Sequence, residues 1–197
     1  MADVGGDAGP AAARRPIGPP AELVFDYARR DAPGVFVEPT AEERARYAAR
    51  YTSEGMRALA EPNPPPGDAR LAELLAARHR AEFAKLNLEA LDGDHPDLPQ
   101  VDRLIAELEA AFTAACQPLY GERFCGLKLL YPDWPDAVVE RVAGGQVVIG
   151  MTAEQAREAW GRPTRFRRDG VGRRFCYDAL CARSLKVVDQ VVVEVGG

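Results

Sequence analysis

The stretch Val147–Pro163, VVIGMTAEQAREAWGRP, holds an apolar run, a glycine, a threonine, a tryptophan and a Gly-x-Pro stop within one short segment. Each has a physical reason to be there. Val147, Val148 and Ile149 suit passage through a core, and Gly150 permits a tight bend that a Cβ would resist. Thr152 is placed to accept a hydrogen bond from the unpaired amides of a helix start, and Gln155 to return one, so T-A-E-Q is a capping box. Glu154 suits the positive end of the helix dipole. Ala153, Ala156 and Trp160 share a face, with Trp160 the anchor of a small core. Gly161 stops the helix and Pro163 prevents its resumption. The segment predicts a short, sharply bounded helix docked through Trp160 onto a downstream sheet.

From Thr164 onward the chain alternates. TRFRR, a turn at DGVG, RRFCYD, then ARSLKV, a turn near VDQ, and VVVEV read as four antiparallel strands. Upstream, PDAVVERVAGG reads as a helix, with Pro135 in its first turn and Gly144 or Gly145 at its left-handed cap. Before it, FCGLKLLYPDWP reads as short and extended, and the cluster EPNPPPGD is a break. Three longer amphipathic helices are expected ahead of FCGLKLLYPDWP. The first starts at Thr40, whose capping box is closed by Glu43, and carries Tyr47, Tyr51 and Ala58 on one face. The second runs from about Asp68 to Leu91, with Leu71, Leu74, Leu75, Phe83, Leu86 and Ala90 on its apolar stripe and His79 beside them. The third places Val101, Leu104, Ile105, Leu108, Phe112, Ala115 and Leu119 at helical spacing, with Pro118 helping to end it. The fold class is therefore α+β: N-terminal amphipathic helices, then a small module of two helices and an antiparallel meander. The expected division is a disordered Ala/Gly/Pro-rich tail over 1–20, a helical segment over 21–122 with a short element between Leu23 and Val37, and the α+β module over 123–197.

The net charge of −5 over 197 residues suggests no affinity for nucleic acid. The charge is uneven: from Glu140 onward ten Lys/Arg face seven Asp/Glu, so the acidity lies in the front part. No run approaches the roughly 18 to 20 apolar residues that a membrane helix needs. The first twenty residues lack the apolar core of a signal peptide. The chain is thus cytosolic, or it follows an export signal. Four cysteines fall as two close pairs, Cys116 with Cys125 and Cys176 with Cys181, without C-x-x-C spacing. Two disulfides in an oxidising compartment explain the pairing; four buried free thiols are the competing reading.

The order Gly150-Met151-Thr152, Gln155, Gly161-x-Pro163, Tyr177 and a closing pair of strands resembles the SmpA/OmlA (BamE-like) family of outer-membrane-assembly lipoproteins, and YPDWPDAVVERVAGGQVV resembles the helix before this motif. The resemblance covers Tyr131 to Val195. It implies two helices packed on an antiparallel sheet, an arrangement shared with β-lactamase-inhibitor-like proteins. It implies an export signal upstream, a periplasmic or cell-envelope location, and a motif that is structural and not catalytic. Phe175-Cys176-Tyr177 stands where the family often has Trp-x-Tyr. On this fold Cys176 and Cys181 flank a short connection between adjacent strands, and Cys116–Cys125 ties a helix end to the strand leading into the module.

No catalytic constellation stands out. Ser53 and Ser184 have no His and acid at recognisable spacing. His79 with Glu82 reads as a histidine on a packing face rather than a base or ligand. Asp92, Asp94, His95 and Asp97 read as a turn and helix start, since the downstream bidentate Glu of a calcium loop is missing. Neither a phosphate loop nor a GxGxxG is present, Trp134 and Trp160 read as core, and no cofactor is expected. The partner-binding candidates are the arginines of the first hairpin, Arg165, Arg167, Arg168, Arg173 and Arg174, with Arg162 nearby. They suit an acidic partner or anionic headgroups at a membrane surface; a charged edge that prevents strand-to-strand aggregation is the alternative. The expected function is that of a non-enzymatic envelope protein that docks another envelope protein. The alternative is a small-ligand-binding protein with a pocket between the helical segment and the sheet.

Overall fold

Helix follows helix up to Trp160, and strand follows strand from Arg165, so the chain is of the α+β class. The computed structural model describes residues 38–196. The expected tail and the short element between Leu23 and Val37 lie outside the described residues. The chain divides into two compact units after Ala115.

The first unit holds helices α1 (Ala41–Ala60) and α2 (Asp68–Leu91) and most of α3 (Leu98–Tyr120). Helix α1 starts at the expected capping box: the Glu43 amide donates to Thr40 Oγ1 at 3.2 Å and the Thr40 amide donates to Glu43 Oε2 at 2.8 Å. Gly55 is buried because α1 approaches α3 closely there; a Cβ at this position would lie 2.9 Å from Leu104 Cδ2. Ala48, Tyr51, Ala84, Leu88 and Val101 form a core cluster, extended by Tyr47, Phe83 and Ile105. Helix α2 buries a broader and smaller-residue face than its leucines suggest: Ala77, Ala81 and Ala84 are inside, whereas Leu86 is 58% exposed and Ala90 also faces solvent. Arg78 ties α2 to α3 through Glu109 at 2.8 Å, and Lys85 does so through Asp102 at 2.7 Å.

The second unit begins at Cys116 with the end of α3 and continues through α4 (Glu122–Leu130), α5 (Asp136–Ala143) and α6 (Ala153–Trp160). Pro118 lies inside α3 and Leu119 is exposed, so the apolar stripe of α3 ends at Cys116. The expected extended stretch at Phe124 is helical instead. Helix α4 buries Phe124, Cys125, Leu127 and Lys128. The lysine is the reason for the difference: a charged residue on the buried face conceals the helical period. Lys128 Nζ donates to the carbonyls of Pro132 and Trp134, at 3.1 and 2.9 Å, and lies 3.1 Å from Asp136 Oδ1. Two ammonium donors are thereby used by carbonyls and the charge faces Asp136, so the lysine ties the end of α4 to the start of α5. The disulfide Cys116–Cys125 accordingly joins helix to helix, not helix to strand.

The Val147–Pro163 segment behaves as its residues dictate. Gly150 has φ +92°, Gly161 has φ +83°, and the Thr152–Gln155 capping box is closed on both sides. Ala153, Ala156 and Ala159 are buried; Trp160 is half-buried, and its indole N–H donates to the Gly145 carbonyl at 3.0 Å. Ile149, expected inside, is exposed, because the chain here runs along a strand edge rather than through the core. The Gly150 amide donates to Val192 O, the Val192 amide to Met151 O and the Ala153 amide to Gln190 O, each at 2.8 Å. The strands β1 (Arg165–Asp169), β2 (Gly172–Cys176), β3 (Ser184–Val188) and β4 (Val191–Gly196) form one antiparallel sheet in the order β1-β2-β3-β4. The second disulfide, Cys176–Cys181, closes the β2–β3 connection.

Candidate functional site

The strand register sorts the hairpin arginines onto two faces, since directly opposed residues in an antiparallel pair project the same way. On one face Arg167 is opposite Arg174, and Arg174 is opposite Lys186, which is opposite Glu194. Two of these cations, Arg174 and Lys186, have acidic partners. Arg174 lies 2.7 Å from Asp169 Oδ2 and 2.9 Å from Glu194 Oε1, and Lys186 lies 3.4 Å from Asp169. The Arg174 guanidinium holds the Asp169 carboxyl below its usual range, helped by Lys186. Glu194 and Asp169 together raise Arg174. Arg174 also donates to the buried Ser184 hydroxyl.

On the other face Phe166 is opposite Phe175, which is opposite Leu185, and Arg168 is opposite Arg173, which is opposite Val187. Phe175, Leu185, Val187 and Val192 are buried. Helix α6, about 10 Å wide, contacts β4 and cannot span four strands spaced about 4.8 Å apart. The β1–β2 half is left open, and Phe166 remains 62% exposed despite its edge-on contact with Phe175 at 5.1 Å between centroids. The result is a groove of about 1000 Å³ walled by Ala153 and Arg157 of α6, floored by Phe166 and Phe175, and flanked by Arg168 and Arg173. Asp189 and Gln190, in the β3–β4 turn, close its far side. Among the described residues none of Arg157, Arg168 and Arg173 has an acidic partner.

The five candidate arginines are therefore not one patch. Arg168 and Arg173 share the groove. Arg174 is neutralised on the opposite face, Arg165 donates to the Ala179 carbonyl, and Arg167 borders the groove although it pairs with Arg174. Arg157 is not among the hairpin candidates, because it belongs to a helix; its place four residues after Ala153 and three before Trp160 is the signal that puts it on the same side of α6. Trp160 and Tyr177 meet edge-on, with Arg183 4.2 Å above the indole. Among the described residues the Tyr177 hydroxyl has no hydrogen-bond partner, and burial pushes its pKa up against the opposing pull of Arg157 and Arg183.

The other candidates fall in the first unit. His79 stands edge-on to Phe83 and 3.7 Å from Glu82, whose carboxyl it lowers by hydrogen bonding. Ser53, His95 and Asp97 border a single cleft of about 330 Å³. His95 Nδ1 accepts the Asp97 amide at 3.2 Å, which leaves the ring proton of the neutral imidazole on Nε2. Among the described residues no helix is long and apolar enough to cross a membrane. No family model matches the chain, and neither a curated protein nor a solved structure matches it significantly.

Proposed function

We propose that this chain is a non-enzymatic protein of the bacterial cell envelope and that its second unit is an SmpA/OmlA-like module that docks another envelope protein. The observation that carries the docking role is the groove: one sheet face pairs Arg174 and Lys186 with Asp169 and Glu194, and the other presents Arg157, Arg168 and Arg173, without ion pairs among the described residues, beside exposed Phe166. The two disulfides support an oxidising compartment. The short helix bounded by Gly150 and Gly161, followed by a four-strand meander, supports the family relation. A serine hydrolase built on Ser53 and His95 is disfavoured, because the neutral imidazole already uses Nδ1 as its acceptor and keeps a proton on Nε2.

The test is capture of the partner from envelope extracts by the full chain with its disulfides intact. Arg168→Glu with Arg173→Glu loses the captured protein, whereas Arg165→Glu, outside the groove, keeps it. Equal retention by both variants contradicts docking in the groove.

A further inference from the structure

Resting on that reading of the second unit, we infer that the groove recognises an extended acidic segment of the partner, with an apolar side chain two residues before a carboxylate. Both strands of the open hairpin carry the same spacing: Phe166-x-Arg168 on β1 and Arg173-x-Phe175 on β2. Antiparallel pairing aligns the two phenylalanines side by side and the two arginines side by side. The groove thus has an aromatic half and a cationic half, whose centres are about 6.6 Å apart, two residues along a strand. A segment in extended conformation repeats its same-side side chains at that distance. An apolar-x-acidic sequence therefore sets its apolar group on the exposed ring of Phe166, which Phe175 backs edge-on, and its carboxylate between the guanidinium groups of Arg168 and Arg173. Arg157 reaches in from the α6 wall, which leaves room for a second carboxylate.

Charge points to an anionic ligand independently of the spacing. Like charges directly opposed across a strand pair destabilise the sheet. On the other face Asp169 and Glu194 relieve Arg174 and Lys186. The Arg168–Arg173 row lacks such relief, and a carboxylate, which accepts paired guanidinium hydrogen bonds, supplies it. Shape favours a protruding chain over a flat lipid surface, because the arginines line a concavity with a helix as one wall and the β3–β4 turn as the other.

The experiment titrates the full, oxidised chain into fluorescein-labelled Phe-Ser-Glu-Ser-Glu and follows anisotropy. The companion probes are Phe-Ser-Gln-Ser-Gln, Ser-Ser-Glu-Ser-Glu, inorganic phosphate as competitor, and vesicles of phosphatidylcholine with anionic phosphatidylglycerol. The first peptide is expected to bind at least about tenfold more tightly than either altered peptide. Its binding is expected to weaken with added salt, to be lost in Arg168→Gln with Arg173→Gln, and to persist in Arg165→Gln, which lies outside the groove. Circular dichroism checks that both variants are folded. Equal binding of the Gln peptide, or loss in the outer-face variant alone, overturns the inference. So does displacement by millimolar phosphate, or groove-dependent binding to the vesicles without binding to the peptide. A photocrosslinking phenylalanine analogue in place of Phe166 separates the two levels. Crosslinking to one envelope protein that Arg168→Gln with Arg173→Gln abolishes, without peptide binding, leaves the docking role standing and removes the segment chemistry. Failure of both removes both.

Discussion

Arg168 lies directly opposite Arg173 across the first hairpin, while the next residue along, Arg174, is clasped between Asp169 and Glu194 on the reverse face. The same five-residue strand thus shows both ways of treating a cation on a sheet, neutralised and left open. Residues that weaken the free protein and yet occupy a concave site are the ones a ligand is expected to complete. The groove is also placed where the fold cannot cover it, because an eight-residue helix with an alanine face contacts β4 and leaves β1 exposed.

Lys128 is the most consequential buried polar residue of the second unit. Its ammonium serves two carbonyls and Asp136 with a side chain only 2% exposed. Lys128→Ala takes the ammonium from the Asp136 carboxylate and from two carbonyls and is expected to cost about 3–5 kcal/mol. Lys128→Met with Asp136→Asn is expected to recover only part of that, because Pro132 and Trp134 still lack a donor. Both tryptophans lie in this unit, so urea denaturation followed by Trp fluorescence reads it directly.

Two carboxylates make the second unit sensitive to acid. The amide of Arg183 leads the backbone donors that hold Asp178 below its usual range, and the Arg174 guanidinium does the same for Asp169. A folded-state pKa below the unfolded value gives stability that is present above the unfolded value and is lost as pH falls through the folded one. The melting temperature read by Trp fluorescence is therefore expected to be flat from pH 7 to about 5 and to fall below about pH 4. Asp178→Asn is expected to melt lower than the wild type at pH 7, with the gap narrowing as pH falls through the lowered value of Asp178 in the folded protein.

The cysteines close loops with sequence separations of 9 and 5. Intact mass after alkylation without reduction is expected to show no added label. Replacing either pair by alanine is expected to cost about 2–3 kcal/mol on the chain-entropy estimate. Four labelled thiols in protein taken directly from its own cells would contradict the envelope location.

The parts of the fold legible in the sequence are those written in local chemistry. The boxes at Thr40 and Thr152, the left-handed glycines Gly145, Gly150 and Gly161, and the four strands with their turns follow from side chains within a few positions of one another. Helix α4 is not legible, because its buried face includes Lys128, whose partners are set by the turn at Pro132 and not by the helix. The inward placement of α2 alanines in preference to Leu86 depends on how closely helices approach, which composition does not encode. The site is half legible. Its arginines are visible as a cluster, but their division into an ion-paired and an open face requires the cross-strand register, and Arg157 comes from a separate element.

In the free protein the Arg168–Arg173 row is uncompensated and the Arg174 row is not, and on that difference the docking role rests. Thermal melting of Arg173→Gln and Arg174→Gln at low ionic strength tests it most directly. Arg173→Gln is expected to melt about 1–3 °C above the wild type, an advantage that shrinks in high salt, and Arg174→Gln is expected to melt below it. An Arg173→Gln protein that melts at or below the wild-type temperature would show that the groove arginines are already satisfied, and would contradict an open, ligand-seeking row.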